Sequence, residues 1–77
     1  MIGVSILVIH RIRDLREDHD YTQVQLAEHL HITQATYSHY ETGERAVPID
    51  VLIAIANFYQ VSIDYLLGQT DNPKRYE

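Results

Sequence analysis

The sequence predicts an all-α fold, a compact bundle of five short helices. Three observations carry this expectation. Apolar residues return every three or four positions in successive stretches, cap and stop residues bracket those stretches, and no alternating strand pattern, internal repeat or interdomain linker appears.

The first helix is expected over Val8 to His19, where Val8, Ile12 and Leu15 line one face and Arg11, Arg13, Asp14, Glu17 and Asp18 the other. The second follows from "YTQVQLAEHL". Thr22 with Gln25 three residues on has the form of a capping box, so a helix is expected from about Gln23 to Leu30. Its inner face would come from Leu26 and Leu30 with Val24 or Ala27. Three residues, "HIT", lead to a third helix over Gln34 to Thr42, with Thr33 as cap and Tyr37 and Tyr40 inward. Gly43 ends it as the residue best able to take positive φ. "ERAV" reads as a loop and Pro48 as the first turn of a fourth helix, "IDVLIAIANFYQ". There Val51, Leu52, Ile55, Ala56 and Tyr59 form a wide apolar stripe. A last short helix has Ser62 as cap, Ile63, Leu66 and Leu67 inside and Gly68 as stop. The tail "QTDNPKRYE" is expected to fray. The chain thus divides into an apolar N-terminal extension over 1–9, a helical domain over 10–68 and a C-terminal tail over 69–77.

Composition narrows the function classes. Seventy-seven residues give room for one domain with one small core, since a chain of this size buries only about 60% of the surface its unfolded form exposes. The absence of Cys removes disulfides and Cys-based zinc sites as supports for that core, and suits a reducing cytoplasm. The apolar run "MIGVSILVI" is far shorter than the roughly 20 residues of a membrane span. It also lacks the positively charged lead and small-residue cleavage site of a signal peptide. Six basic against eleven acidic residues leave a net charge of −5, which disfavours indiscriminate polyanion binding but says nothing about one local face.

Two short helices joined by a three-residue turn, the second richer in outward polar groups, meet the requirement of a helix-turn-helix unit. The small Ala27 would let the pair cross closely. Short helix pairs occur in any helical bundle, so the particular residues decide. "RIRDLREDHDYTQVQLAEHLHITQATYSHYETGER" resembles the helix-turn-helix family of phage repressors, Cro proteins and xenobiotic-response-element regulators. The matches are "LRE" at Leu15 to Glu17, "TQ..LA" at Thr22 to Ala27, the Ile32-Thr33 entry, "YE.G" at Tyr40 to Gly43 and "VSIDYLLG" at Val61 to Gly68. They cover about residues 10 to 70.

The resemblance implies a lambda-repressor-like DNA-binding domain whose second helix braces on phosphate and whose third enters the major groove. Gln23 matches a glutamine that bonds a DNA phosphate. Gln34 matches the first outward position of the recognition helix, where a side-chain amide can present donor and acceptor together to adenine. His39 matches another base-reading position, and Ala35 would offer apolar contact to a thymine methyl. Thr33, Thr36 and Ser38 are candidates for phosphate or base contacts, Thr33 serving equally as a cap, and Arg45 is within reach of the backbone. Arg16 and Glu41 match a pair that forms an internal salt bridge.

The sequence also departs from the family. His31 and Asp20 stand where glycines are common, Glu44 lies where a basic residue is common, and the apolar start replaces a short polar lead. That start reads either as a strand or arm pairing with a partner chain or as a disordered extension. Few cationic contacts imply weak binding by one copy, so the expected partner is a palindromic double-stranded operator bound by a homodimer, through Tyr65 on the fifth helix or the apolar start. The expected role is a small cytoplasmic repressor acting by promoter occupancy, with no membrane association, no cofactor and no enzymatic activity. The rival reading is an interaction module, such as an antitoxin-like partner, with DNA binding weakened or lost. His29, His31 and His39 have no acidic or sulfur ligand placed with them, so no metal site is expected.

Overall fold

The structure, a computed structural model, describes residues 9–75. Five helices follow in order: α1 His10–Asp18, α2 Gln23–Leu30, α3 Gln34–Thr42, α4 Ile49–Tyr59 and α5 Ile63–Leu66. Among the described residues there is no strand. The expected start of the first helix at Val8, and the apolar run before it, lie outside the described residues. Ile9 caps α1 and is itself buried in the core, although its position groups it with the N-terminal extension.

Local chemistry sets most of the helix ends. Thr22 accepts from the Gln25 amide at 3.1 Å while the Gln25 side chain accepts from the Thr22 amide at 2.8 Å, the reciprocal bonds of a capping box. Thr33 accepts from the Thr36 amide at 3.1 Å and Ser62 from the Tyr65 amide at 3.0 Å. Each bond satisfies an amide that the first turn leaves without an intrahelical partner. Pro48 is the cap preceding α4 rather than part of its first turn, its ψ of 154° being extended rather than helical.

The helices stop where the chain turns left-handed. Asp20, His31, Gln60, Gly43 and Gly68 all have positive φ. Asp20 and His31 therefore hold the conformation for which family members use glycine, and Gln60 ends α4 in the same way. At Gly68, with φ +77°, a Cβ would meet open space, so only backbone strain opposes a side chain. Gly68→Ala is expected to lower stability by about 1 kcal/mol, read as a shift in urea midpoint with unchanged slope.

Packing then joins the elements. Ile9, Ile12, Leu15, Tyr40, Leu52, Ile55, Ala56, Val61 and Leu66 form the main cluster, drawing on α1, α3, α4 and α5. A second cluster, Leu26, Ala27 and Tyr37, fastens α2 to α3. Burying a side chain such as Leu26 contributes about 1.5–3 kcal/mol, and Leu30 and Ile32 pack against both clusters. Of the two candidates for the inner face of α2, Ala27 is buried and Val24 is exposed. Leu67, expected inside, is only half-buried.

The tail differs from its expected fraying. Arg11 donates to the Tyr65 and Thr70 carbonyls at 3.0 and 2.7 Å, pairs with Asp71 at 2.7 Å and lies over the Tyr65 ring. Ser62 donates its amide to the Pro73 carbonyl, and Arg75 donates to the Asn57 side chain. These bonds tie residues 70–75 back onto α1, α4 and α5.

Candidate nucleic-acid interface

The turn between α2 and α3 is short because His31 adopts the left-handed conformation and Ile32 donates its amide to the Ala27 carbonyl at 3.0 Å. With Ala27 and Tyr37 interlocked beneath it, α3 is held against α2 along its inner side. By helical spacing, Gln34, Ala35, Ser38, His39 and Thr42 fall on the opposite arc. Gln34, Ala35 and Thr42 are exposed, Ser38 and Thr36 half-buried, and the His39 side chain 41% exposed. Thr33 acts as the cap of α3 and also donates to the Thr36 hydroxyl at 2.9 Å. Arg45 is exposed just beyond the helix, its amide bonded to the His39 carbonyl.

Behind this face lies a charged pair. Arg16 makes two bonds to the Glu41 carboxylate, at 2.7 and 3.1 Å, with side chains 13% and 4% exposed. A third guanidinium bond reaches the Tyr21 carbonyl at 3.0 Å. The pair links α1 to α3, as the family resemblance implies. Burial acts to raise the Glu41 pKa, but the Arg16 guanidinium, with Tyr37 and Gln23 beside it, outweighs burial and holds the carboxyl below the usual range. The Glu41 carboxylate in turn raises the Arg16 pKa. Tyr37 sits next to this pair with its hydroxyl buried, and burial, reinforced by the adjacent Glu41 carboxylate, pushes its pKa far up.

The pair is connected to the outward face through Gln23. Its Nε2 donates to Glu41 at 3.1 Å, while its Oε1 accepts from Gln34 Nε2 at 3.0 Å. One hydrogen-bonded chain therefore runs Arg16, Glu41, Gln23, Gln34, from a nearly buried ion pair to an exposed amide. Because the Glu41 carboxylate is acceptor-only, it fixes which end of the Gln23 amide faces it and hence which end faces Gln34.

The helix-turn-helix family model matches residues 12–66. The chain belongs to the Cro/repressor-type helix-turn-helix family. It is 44% identical over 63 residues to the uncharacterized HTH-type transcriptional regulator YobD of Bacillus subtilis, covering 82% of this chain and 56% of that one. Identity to the HTH-type transcriptional regulator ImmR of Bacillus subtilis is 39% over 67 residues, covering 87% of this chain and 53% of ImmR. A transcriptional regulator from Listeria innocua, known from its crystal structure, superposes with a TM-score of 0.77 at 28% identity, covering 90% of this chain and 64% of that one. The chain spans about half the length of the curated relatives it matches. The family match falls on a helix-turn-helix unit, the relatives bear the names of transcriptional regulators, and among the described residues no helix is long and apolar enough to cross a membrane.

Within this helix-turn-helix protein, Gln23, Gln34, Arg16 and Glu41 are brought together in one network. His39 and Arg45 stand apart from it at the other end of α3. Sequence reasoning missed the bond from Gln23 to Glu41, whose partners are 18 residues apart, and the engagement of Glu44 with the end of α3. The polar identity of Glu41 directly after inward Tyr40 and the cap-adjacent position of Gln23 were the available signals.

Proposed function

We propose that this chain binds double-stranded DNA sequence-specifically and acts as a small transcriptional repressor by promoter occupancy, two copies sitting on a palindromic operator. The observation that carries this reading is the network just described. It presents Gln34 at the first outward position of α3 with its amide oriented by Gln23, the arrangement that a bidentate contact to adenine requires. Gln23, at the first turn of α2, faces both that amide and the helix N-terminus, where phosphate is favoured. His39, Ala35, Thr36 and Ser38 extend the reading face, with Thr33 and Arg45 at its two ends. A cytoplasmic location follows from this role. The name of the RstR protein of Vibrio cholerae, a cryptic phage transcriptional repressor 34% identical over 59 residues, supports repression in particular.

Homodimer formation supplies the second half-site, since one copy has few cationic contacts and half-sites one helical turn apart require a two-fold pair. Selection from a randomised duplex pool at low salt, comparing the wild type with a Gln34→Ala, His39→Ala double variant, tests the proposal. An enriched palindrome that the double variant no longer selects is expected. A folded wild type that enriches no sequence would overturn this reading in favour of a protein-interaction module.

A further inference from the structure

The outward face of α3 carries a feature that the reading network does not use. Glu44 folds back from the turn after Gly43 and is held there by Thr42, whose hydroxyl donates to Glu44 Oε1 at 3.0 Å while accepting from the Glu44 amide at 3.4 Å. The other carboxylate oxygen lies 3.9 Å from His39 Nε2, and the Glu44 side chain remains 65% exposed. The ring nitrogen that would address the DNA thus has a carboxylate of the same chain at its side. The neighbouring Arg45 has its amide bonded to the His39 carbonyl.

We infer that Glu44 is an affinity-limiting residue, a carboxylate held beside His39 that repels the phosphate backbone wherever the end of α3 approaches a duplex. The inference rests on the DNA-binding reading proposed above. An anionic group held at the end of a recognition helix penalises every duplex alike, because phosphate charge is independent of sequence. On a cognate site the direct contacts of Gln34 and His39 offset the penalty; on other duplexes nothing does. Glu44 therefore lowers affinity for every duplex by a similar factor, so that duplexes lacking the base contacts of Gln34 and His39 are left largely unoccupied.

The test measures binding of the wild type, Glu44→Gln and Thr42→Val to a duplex from the selected pool and to a random duplex, across a range of salt concentrations. Glu44→Gln is isosteric and keeps the Thr42 hydrogen bond while removing the charge. It is expected to bind the random duplex about fivefold more tightly, with a similar gain on the selected duplex and a steeper salt dependence on both. Thr42→Val, which releases the carboxylate, is expected to move the same way by a smaller factor. Equal affinities for wild type and Glu44→Gln on both duplexes would overturn the inference while leaving DNA recognition intact. Weaker binding by Glu44→Gln, with a cytosine preference erased, would also overturn it and make Glu44 a direct base reader. If the folded wild type and Glu44→Gln both bind no duplex, the DNA-binding reading falls, and this inference with it.

Discussion

Arg16→Ala is expected to lower folding stability by about 3–5 kcal/mol, because it strands the Glu41 carboxylate in a site that is only 4% exposed. The loss comes less from the attraction of the pair than from the desolvated charge left behind. Gln23 is the one remaining side-chain amide within bonding distance, and a single neutral donor does not replace a bidentate guanidinium. For a domain of this size, the change corresponds to a fall in Tm of about 12 °C or more, measured by circular dichroism at neutral pH. DNA affinity is expected to fall with it, since Glu41 orients Gln23 and through it Gln34. A loss of affinity at unchanged Tm would instead make Arg16 a direct phosphate contact.

The same pair gives a pH signature. The folded-state pKa of Glu41 is depressed below the usual carboxylate range. Its contribution is therefore complete above that range and is lost as pH falls through the depressed folded value, the unfolded state binding the proton first. The Tm difference between wild type and Glu41→Gln is expected to be greatest near neutrality and to shrink on acidification. A difference that stays constant down to strongly acidic pH would show that Glu41 is not ionised in the folded protein.

The parts of this fold that were readable in the sequence are those determined over short distances. The Thr22–Gln25 box, the Thr33 and Ser62 caps and the glycine stops involve residues within a few positions of each other, so each leaves a local pattern. The inner faces of α3 and α4 were likewise legible from spacing. The left-handed Gln60 was not, because a glutamine carries no conformational preference that marks it as a helix stop. The anchoring of the tail was hidden for another reason: Arg11 and Thr70 are 59 residues apart, and Arg11 in isolation resembles any charged group on an outward helix face. At the candidate site, the family pattern identified Arg16 with Glu41 and the two glutamines as separate features. That they form a single chain depends on the crossing of α2 over α3, which three-dimensional packing alone provides.

That chain makes the contribution of Gln23 separable from that of Gln34. Gln23→Ala is expected to weaken DNA binding by about 1.5–3 kcal/mol, on the order of tenfold to a hundredfold, through loss of a charge-assisted bond to phosphate. The same variant frees the Gln34 amide, whose Nε2 now rests 3.0 Å from Gln23 Oε1. Discrimination at the base addressed by Gln34 should therefore broaden as affinity falls. Stability should change much less, because Glu41 keeps both bonds to Arg16 when Gln23 is removed. Gln34→Ala, by contrast, should broaden selection at one base position while keeping the phosphate anchor, so its affinity for random duplex should match that of the wild type. Anisotropy titrations of both variants on selected and random duplexes separate the two roles. If Gln23→Ala retained wild-type affinity and preference, the bond between the glutamines would be only a resting contact of the free protein, broken on the DNA without consequence. If it lost random-duplex affinity but kept its base preference, Gln23 would be a phosphate anchor alone, and the orientation of Gln34 would have to come from the base it meets.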